Sequence, residues 1–358
     1  MKKLLLLSNI GSPSSTQVTD VRKYLEEFLM DPLVIDIPYF FRWILVKGII
    51  GPRRSTESAK KYDSIWTAKG SPLIVNSQNF ANQLQQLLGD SYIVKFAYRY
   101  GQNRIDKVIQ ELDFNSIEQV LFVPMFPQYA SATTLTSLQM FESSLRKTLS
   151  AQKIESQKIS VKTVPYFYQH SFFTQAWVQQ ILDFVKSRSS DGKTTDTDNS
   201  LAPFYLFSFH GLPERQVLKT TGCRLSADCC QQAEQDNRVC YRAQCLQTAL
   251  NLSQALGLNS KQYAISFQSR LGQAEWLKPY TSELVKDLYQ QGIRRIFVIS
   301  PAFVTDCLET LEELGTELKH EFESLDNSIN KKTQLELVPS LNDKAFWVEG
   351  FARFIQKL

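Results

Sequence analysis

Histidine is scarce in this chain, with three residues in 358. Imidazole is the side chain whose ordinary pKa suits proton transfer near neutrality, so few positions can do that work. Long apolar runs are missing too: none reaches the about 18 uncharged apolar residues that a membrane-spanning helix needs. Met1-Lys2-Lys3 and the four leucines after it begin like a secretory leader, but the apolar stretch stops at Ser8-Asn9. That is too short for a leader's core and reads as a first strand, so the cytoplasm is the expected location. No lysine and arginine block with interleaved aromatics occurs, and a net charge of +4 is too weak to argue for nucleic acid. A hydrophobic content of 43% and a charged content of 21% are ordinary for a globular protein. The length is generous for one core and comfortable for two domains.

What is present is organised around Phe204–Pro213 (FYLFSFHGLP). A continuous apolar run of this kind suits a buried parallel strand; Gly211 permits a sharp turn and Pro213 ends the ladder. His210 then sits at the carboxyl end of a central strand, where open α/β sheets bind ligands, although a core or capping histidine fits the local sequence equally. The first half echoes the second. Leu4–Pro13 matches Phe204–Pro213, Arg99 falls on Arg270, Pro124 on Pro301 and Val164 on Val338, at offsets of 200, 171, 177 and 174 residues. Helical patterns such as 104–112 and 277–291 lie between the matched strands. Strands alternating with helices predict βαβ units, so the expected architecture is two copies of one α/β unit. Each is a four-stranded parallel sheet flanked by helices, with a cleft between the two.

The predicted boundaries are 1–165 for the first domain and 166–342 for the second, with the period-3.6 helix 343–358 returning to the first. The first copy is the longer, with 88 residues from Gly11 to Arg99 against 59 from Gly211 to Arg270. The surplus holds the apolar, aromatic stretch Pro38–Ile50, part of a lip spanning about 36–54. It can line an apolar cleft, dip into a membrane surface with Arg42, Lys47, Arg53 and Arg54 at the headgroups, or be a plain buried helix. Leu149–Ser160 and Lys186–Ser200 read as loose polar connections.

Two further constellations carry chemistry. After Pro301-Ala302-Phe303 a helix is expected to start on Thr305 or Asp306, placing Asp306, Glu309 and Glu313 on one stripe at i, i+3 and i+7. Three carboxylates along one wall suit cation binding or proton relay; acids in a first helical turn are also favoured by the helix dipole alone. Five of the six cysteines, Cys223, Cys229, Cys230, Cys240 and Cys245, fall within 23 residues as C-x5-C-C-x9-C-x4-C. Cytosolic disulfides are rare, so metal ligation competes with inert buried thiols. Spacing does not choose between zinc and iron–sulfur, and one of Cys229 and Cys230 is spare. Cys307 is given no role.

SNIGSP, FLMDPLVID, GSPL, YRYGQ, VPMFPQYASATT, FSFHGLPER, FQSRLGQAEWLKPYT and PAFVTDCLETLEEL, in that order, resemble the ferrochelatase family over nearly the whole chain. The resemblance implies a chelatase-like fold of two similar Rossmann-like domains with the active-site cleft between them, and insertion of Fe²⁺, as substrate, into protoporphyrin IX to form haem b. It implies His210 and Glu309 as the catalytic, iron-binding pair, with Asp306 and Glu313 leading outward. Arg99, Tyr100, Ser71 and Tyr129 are implied beside the macrocycle, and the lip is implied to face a membrane peripherally. The usual Gly-Asp-x-Tyr after HGLPER is replaced by TGCRLSADCCQQ. Some microbial members carry a [2Fe–2S] cluster on internal cysteines, which implies Cys223, Cys230, Cys240 and Cys245 as ligands with Cys229 as the alternative to Cys230. Coproporphyrin-using members commonly have Tyr where this chain has Ser14, which favours protoporphyrin IX over coproporphyrin III. A sensor that binds metal or haem without catalysis is the reading from another class.

Overall fold

The computed structural model describes residues 1–190, 202–226, 228–231, 239–270, 272, 274–326 and 333–358. Most of the predicted loose connection 186–200 and the echoed Gln273 lie outside the described residues. The chain divides into two compact units, Met1–Phe167 with Asn342–Leu358, and Tyr168–Leu341.

In the first unit, β1 (Lys2–Asn9), β2 (Tyr92–Tyr98), β3 (Ile117–Pro124) and β4 (Ser160–Thr163) form one parallel sheet in the order β2-β1-β3-β4. Leu4 to Leu7 are all fully buried, as expected of a central strand covered by helices on both faces. Leu4 and Leu6 pack with Val120, Phe122, Phe141 and Leu145 in one core. The C-terminal helix Ala345–Gln356 belongs to this unit, where Trp347 and Phe351 set their rings 5.7 and 5.4 Å from Phe80. The segment 149–160 is more ordered than its polarity predicts. Helix Thr136–Ala151 runs into it and Ile154 packs on the core.

The second unit repeats the plan. β5 (Phe204–His210), β6 (Tyr263–Gln268), β7 (Arg295–Ile299) and β8 (Gln334–Leu337) pair in parallel in the order β6-β5-β7-β8. Phe204, Leu206, Ile296, Val298 and Leu335 share its core with Leu314, Leu318 and Phe322. Two parallel four-stranded α/β sheets are thus what the internal echo encodes. The register refines the echo: Phe96 pairs with Leu7 as Ile265 pairs with Phe207, so Arg99 is the counterpart of Gln268 and not of Arg270.

Candidate active site

Strand β5 delivers His210 to its carboxyl end. Beneath it lies a neutral hydrogen-bond network. Ser208 Oγ donates to Gln268 Oε1 (2.8 Å), Thr281 Oγ1 donates to Ser266 Oγ (2.9 Å), and Ser300 Oγ donates to the Ser208 carbonyl (2.8 Å). Gln268 Nε2 then donates to the Glu309 carbonyl at 3.0 Å, tying the strand end to the helix that carries the acids. His210 Nδ1 lies 2.6 Å from the Gly211 carbonyl. A carbonyl only accepts, so Nδ1 carries the hydrogen and Nε2 of the neutral ring keeps its lone pair. The rings of Trp276 and Phe303 flank the imidazole at 6.4 and 6.2 Å. Burial pushes the His210 pKa below its ordinary value; the Glu309 charge and the Gly211 carbonyl oppose that push without cancelling it. Gly211 is required here, since a Cβ would stand 2.9 Å from the Gln268 carbonyl oxygen.

The acidic stripe is rearranged. Leu308 precedes a π-helical segment, Glu309–Leu318, whose i→i+5 bonding widens the turn. Asp306 lies before the helix and is buried, with Oδ1 accepting from Thr310 Oγ1 (3.2 Å) and the Ser340 amide (3.1 Å). It anchors the helix start to a loop and does not continue the row of acids. Glu309 and Glu313 are partly exposed, and Ser269 Oγ donates to Glu313. Ser269 holds a left-handed backbone (φ 60°), strain that a non-glycine residue carries where the surroundings impose it. Burial, with the neighbouring Glu309 charge, pushes the Cys307 pKa up. Among the described residues, no group of three or more His, Cys, Asp or Glu side chains is placed to hold a metal ion.

That limit applies to the cysteines as well. Cys229, Cys230, Cys240 and Cys245 are buried and Cys223 is partly exposed. They share one electrostatic neighbourhood: burial raises the Cys223, Cys230, Cys240 and Cys245 pKa values, and nearby cysteine sulfurs raise them further. Two are otherwise engaged. The Arg224 amide donates to Cys229 Sγ at 3.2 Å, and Arg242 Nη1 donates to Cys230 Sγ at 2.9 Å. The sulfur chemistry suits a soft metal, but this arrangement does not close a ligand set for a [2Fe–2S] cluster.

In the first unit, the buried Asp31 is the hub. Its Oδ2 accepts from Arg99 Nη2 (2.6 Å), Tyr100 Oη (2.8 Å) and Thr136 Oγ1 (2.6 Å), and the Arg99 guanidinium stacks 4.5 Å over the Tyr100 ring. Arg99, Asp31 and Thr136 line a cavity of about 620 Å³ together with Arg104 and Lys147. Tyr100 is buried with its hydroxyl committed to Asp31. Ser71 is buried at the start of helix Pro72–Leu88, and Tyr129 is partly buried after β3. Sequence reasoning missed Asp31, Gln268, Ser269 and Tyr241. Gln268 and Ser269 had one signal, polar residues at the end of an otherwise apolar strand; Asp31 follows a helix and Tyr241 opens one, and neither had that signal.

In the lip, Tyr39, Phe40, Phe41 and Trp43 are 66%, 65%, 62% and 48% exposed, so the lip is no plain buried helix. Arg42 departs from its expected headgroup position. It is buried, and its Nη1 donates to the Ile35 (3.0 Å) and Ile37 (2.8 Å) carbonyls. Lys47 pairs with Glu26. No helix among the described residues is long and apolar enough to cross a membrane.

Two parallel α/β sheets, with an imidazole at the end of the central strand of the second, define an α/β protein of chelatase-like fold. The fold is similar to that of SirB from Bacillus subtilis with Fe³⁺ (TM-score 0.52, 9% identity, all of this chain and 95% of that one), a likeness of fold alone. The ferrochelatase family model matches residues 2–358. Ferrochelatases of Bdellovibrio bacteriovorus and Legionella pneumophila are each 39% identical, over all of this chain and 99% of theirs. The chain belongs to the ferrochelatase family, enzymes that insert metal into porphyrin.

Proposed function

We propose that the chain inserts Fe²⁺ into protoporphyrin IX, with His210 as the base and Glu309 as its partner. The observation that carries this reading is the 2.6 Å contact of His210 Nδ1 with the Gly211 carbonyl, beside Glu309. A neutral ring with Nδ1–H given to Gly211 has only Nε2 free, and Nε2 can accept a proton or meet the ion. Free-base porphyrin has two pyrrole N–H bonds. Both break, two protons leave, Fe²⁺ takes the four nitrogens and no electron is transferred. His210 takes the first proton. Glu309 and Glu313, on the helix the Gln268 amide holds, carry protons outward and offer oxygen ligands to the partly hydrated ion. Bending the macrocycle exposes its nitrogen lone pairs, and apolar contacts offset that strain.

Arg99, held by Asp31, and Ser71, at a helix N-terminus, face the propionates in this reading, with Tyr129 beside the ring. Protoporphyrin is preferred to coproporphyrin III because position 14 is an exposed serine. The exposed aromatics 39–43 support peripheral contact with a membrane's cytoplasmic face, where an apolar porphyrin partitions. A porphyrin and metal panel followed by absorbance tests the assignment. Faster turnover of coproporphyrin III would reverse the substrate, and none with any porphyrin would leave a sensor. For the cysteines, support for a [2Fe–2S] cluster is confined to the family resemblance. Anaerobically purified protein should show iron–sulfur absorption and paramagnetic resonance bands, and a colourless preparation would end that reading.

A further inference from the structure

Cys240, Tyr241 and Arg242 are consecutive, and the last two reach in different directions. Tyr241 opens helix Tyr241–Ala255 and is 9% exposed. Its hydroxyl donates to the carbonyl oxygen of His210 at 2.7 Å. Arg242 reaches into the cysteine-bearing segment, donating to the Leu225 (3.2 Å) and Ser226 (3.3 Å) carbonyls as well as to Cys230. One turn further on, the fully buried Cys245 thiol lies beside the Tyr241 hydroxyl. A polar chain therefore runs from the Cys245 thiol through the Tyr241 hydroxyl to the backbone of His210, whose own ring hydrogen goes to Gly211.

The position of that carbonyl matters because His210 is the last residue of β5 and its ladder ends there. The strand pairs with β7 only as far as Phe207, and its last partner on β6 is Gln268. Beyond Phe207 one side of the strand has no ladder partner, so the Tyr241 hydroxyl supplies an anchor the sheet does not. A base held by its backbone on one side and by Nδ1–H on the other has little freedom to turn. Misplacing a reacting group by about 1 Å can cost on the order of a hundredfold in rate.

We propose that Tyr241 is a positioning residue for His210, and that through Cys240, Tyr241 and Arg242 it joins the cysteine-bearing segment to the active site. This rests on His210 being the base. Tyr241 touches no reacting atom; it fixes where the imidazole stands. A rearrangement of the cysteine segment would reach the reaction through this residue.

The test uses the full chain, Zn²⁺ and protoporphyrin IX, with zinc-porphyrin formation followed by absorbance. Tyr241→Phe removes one hydroxyl and keeps the ring. It should lower kcat about tenfold while the porphyrin KM stays within about twofold, because substrate contacts are untouched. Three histidines make ¹⁵N-histidine spectra simple to assign, with the His210 signals identified by their loss in His210→Ala. In Tyr241→Phe those signals should move away from the parental Nδ1–H pattern. Should Tyr241→Phe not fold, Cys245→Ala serves, since it removes the thiol from the Tyr241 hydroxyl and leaves Tyr241 in place. It should move the same signals in the same direction by less. Parental kcat in a folded Tyr241→Phe, or a reduced kcat with His210 signals unmoved, overturns the proposal. Parental turnover in His210→Ala is a different failure: it removes the base assignment, and Tyr241 is then judged on the spectra alone.

Discussion

Both units order their strands alike, yet they finish the first strand in opposite electrostatic styles. In the first unit β1 ends in Asn9 and Gly11 follows, and the neighbouring end of β2 is fixed by charge: Asp31 gathers Arg99, Tyr100 and Thr136. In the second unit β5 ends in His210 with Gly211 behind it. The matching position on the next strand, Gln268, is neutral and bonds only neutral groups. One scaffold thus supplies a compensated ion pair that holds a cationic side chain still, and an uncharged floor that leaves an imidazole unprotonated. A second Arg–Asp pair at the His210 position would act on the imidazole through its charges; serines and glutamine do not.

The largest effect expected from breaking this contrast is at His210. His210→Ala should reduce metal insertion by about 10²- to 10⁴-fold, the usual worth of a positioned base, while the far-ultraviolet spectrum stays parental. A variant retaining more than a tenth of the rate would transfer the base's role elsewhere. On the charged side the loss should appear in stability. Asp31→Ala leaves the half-enclosed Arg99 guanidinium without its carboxylate, and breaking a buried pair in this way costs about 3–5 kcal/mol. Urea unfolding would read it, and a change below about 1 kcal/mol would mean that Asp31 is no hub.

The two glycines sharpen the comparison at smaller scale. At Gly11 a Cβ would stand 2.1 Å from the Tyr100 carbonyl oxygen, on a backbone with φ 109°. At Gly211 the equivalent distance is 2.9 Å, and no positive φ is involved. Gly11→Ala should therefore destabilise by more than Gly211→Ala, for which overpacking of about 1–3 kcal/mol is the guide. Equal thermal midpoints for the two variants would contradict the geometry.

Much of this was legible in the residues, for identifiable reasons. Strands buried on both faces announce themselves as apolar runs, so LLLL and FYLF marked two strands that prove central, while the order within each sheet is seen only in the structure. What misled was helical period. An i, i+3, i+7 stripe assumes an α-helix, and the segment from Glu309 is π-helical with Asp306 turned inward ahead of it. Arg42 reads as a surface cation beside aromatics, and only the path of the chain at Ile35–Ile37 presents carbonyls that draw it inside. Asp31 was one acid among 36 and was passed over, because its three donors come from residues up to 105 positions away.

The smallest expected effect separates the two sides of the His210 environment. Burial lowers the pKa of this imidazole and the Glu309 charge raises it, with burial the larger. Above the ordinary value of 6.5, folded and unfolded rings are both neutral and this group gives stability no pH dependence. As pH falls through 6.5 the unfolded ring takes a proton that the folded ring resists, so stability declines toward acid. The acid limb of kcat/KM, which reports the free enzyme's base, should for the same reason lie below pH 6.5. Glu309→Gln keeps the shape and removes the charge that favours the imidazolium. The limb should then move to still lower pH, even as the rate falls. A limb that stays in place or moves upward would mean that Glu309 does not act on His210 through charge, and the pair would have to be separated into two independent roles.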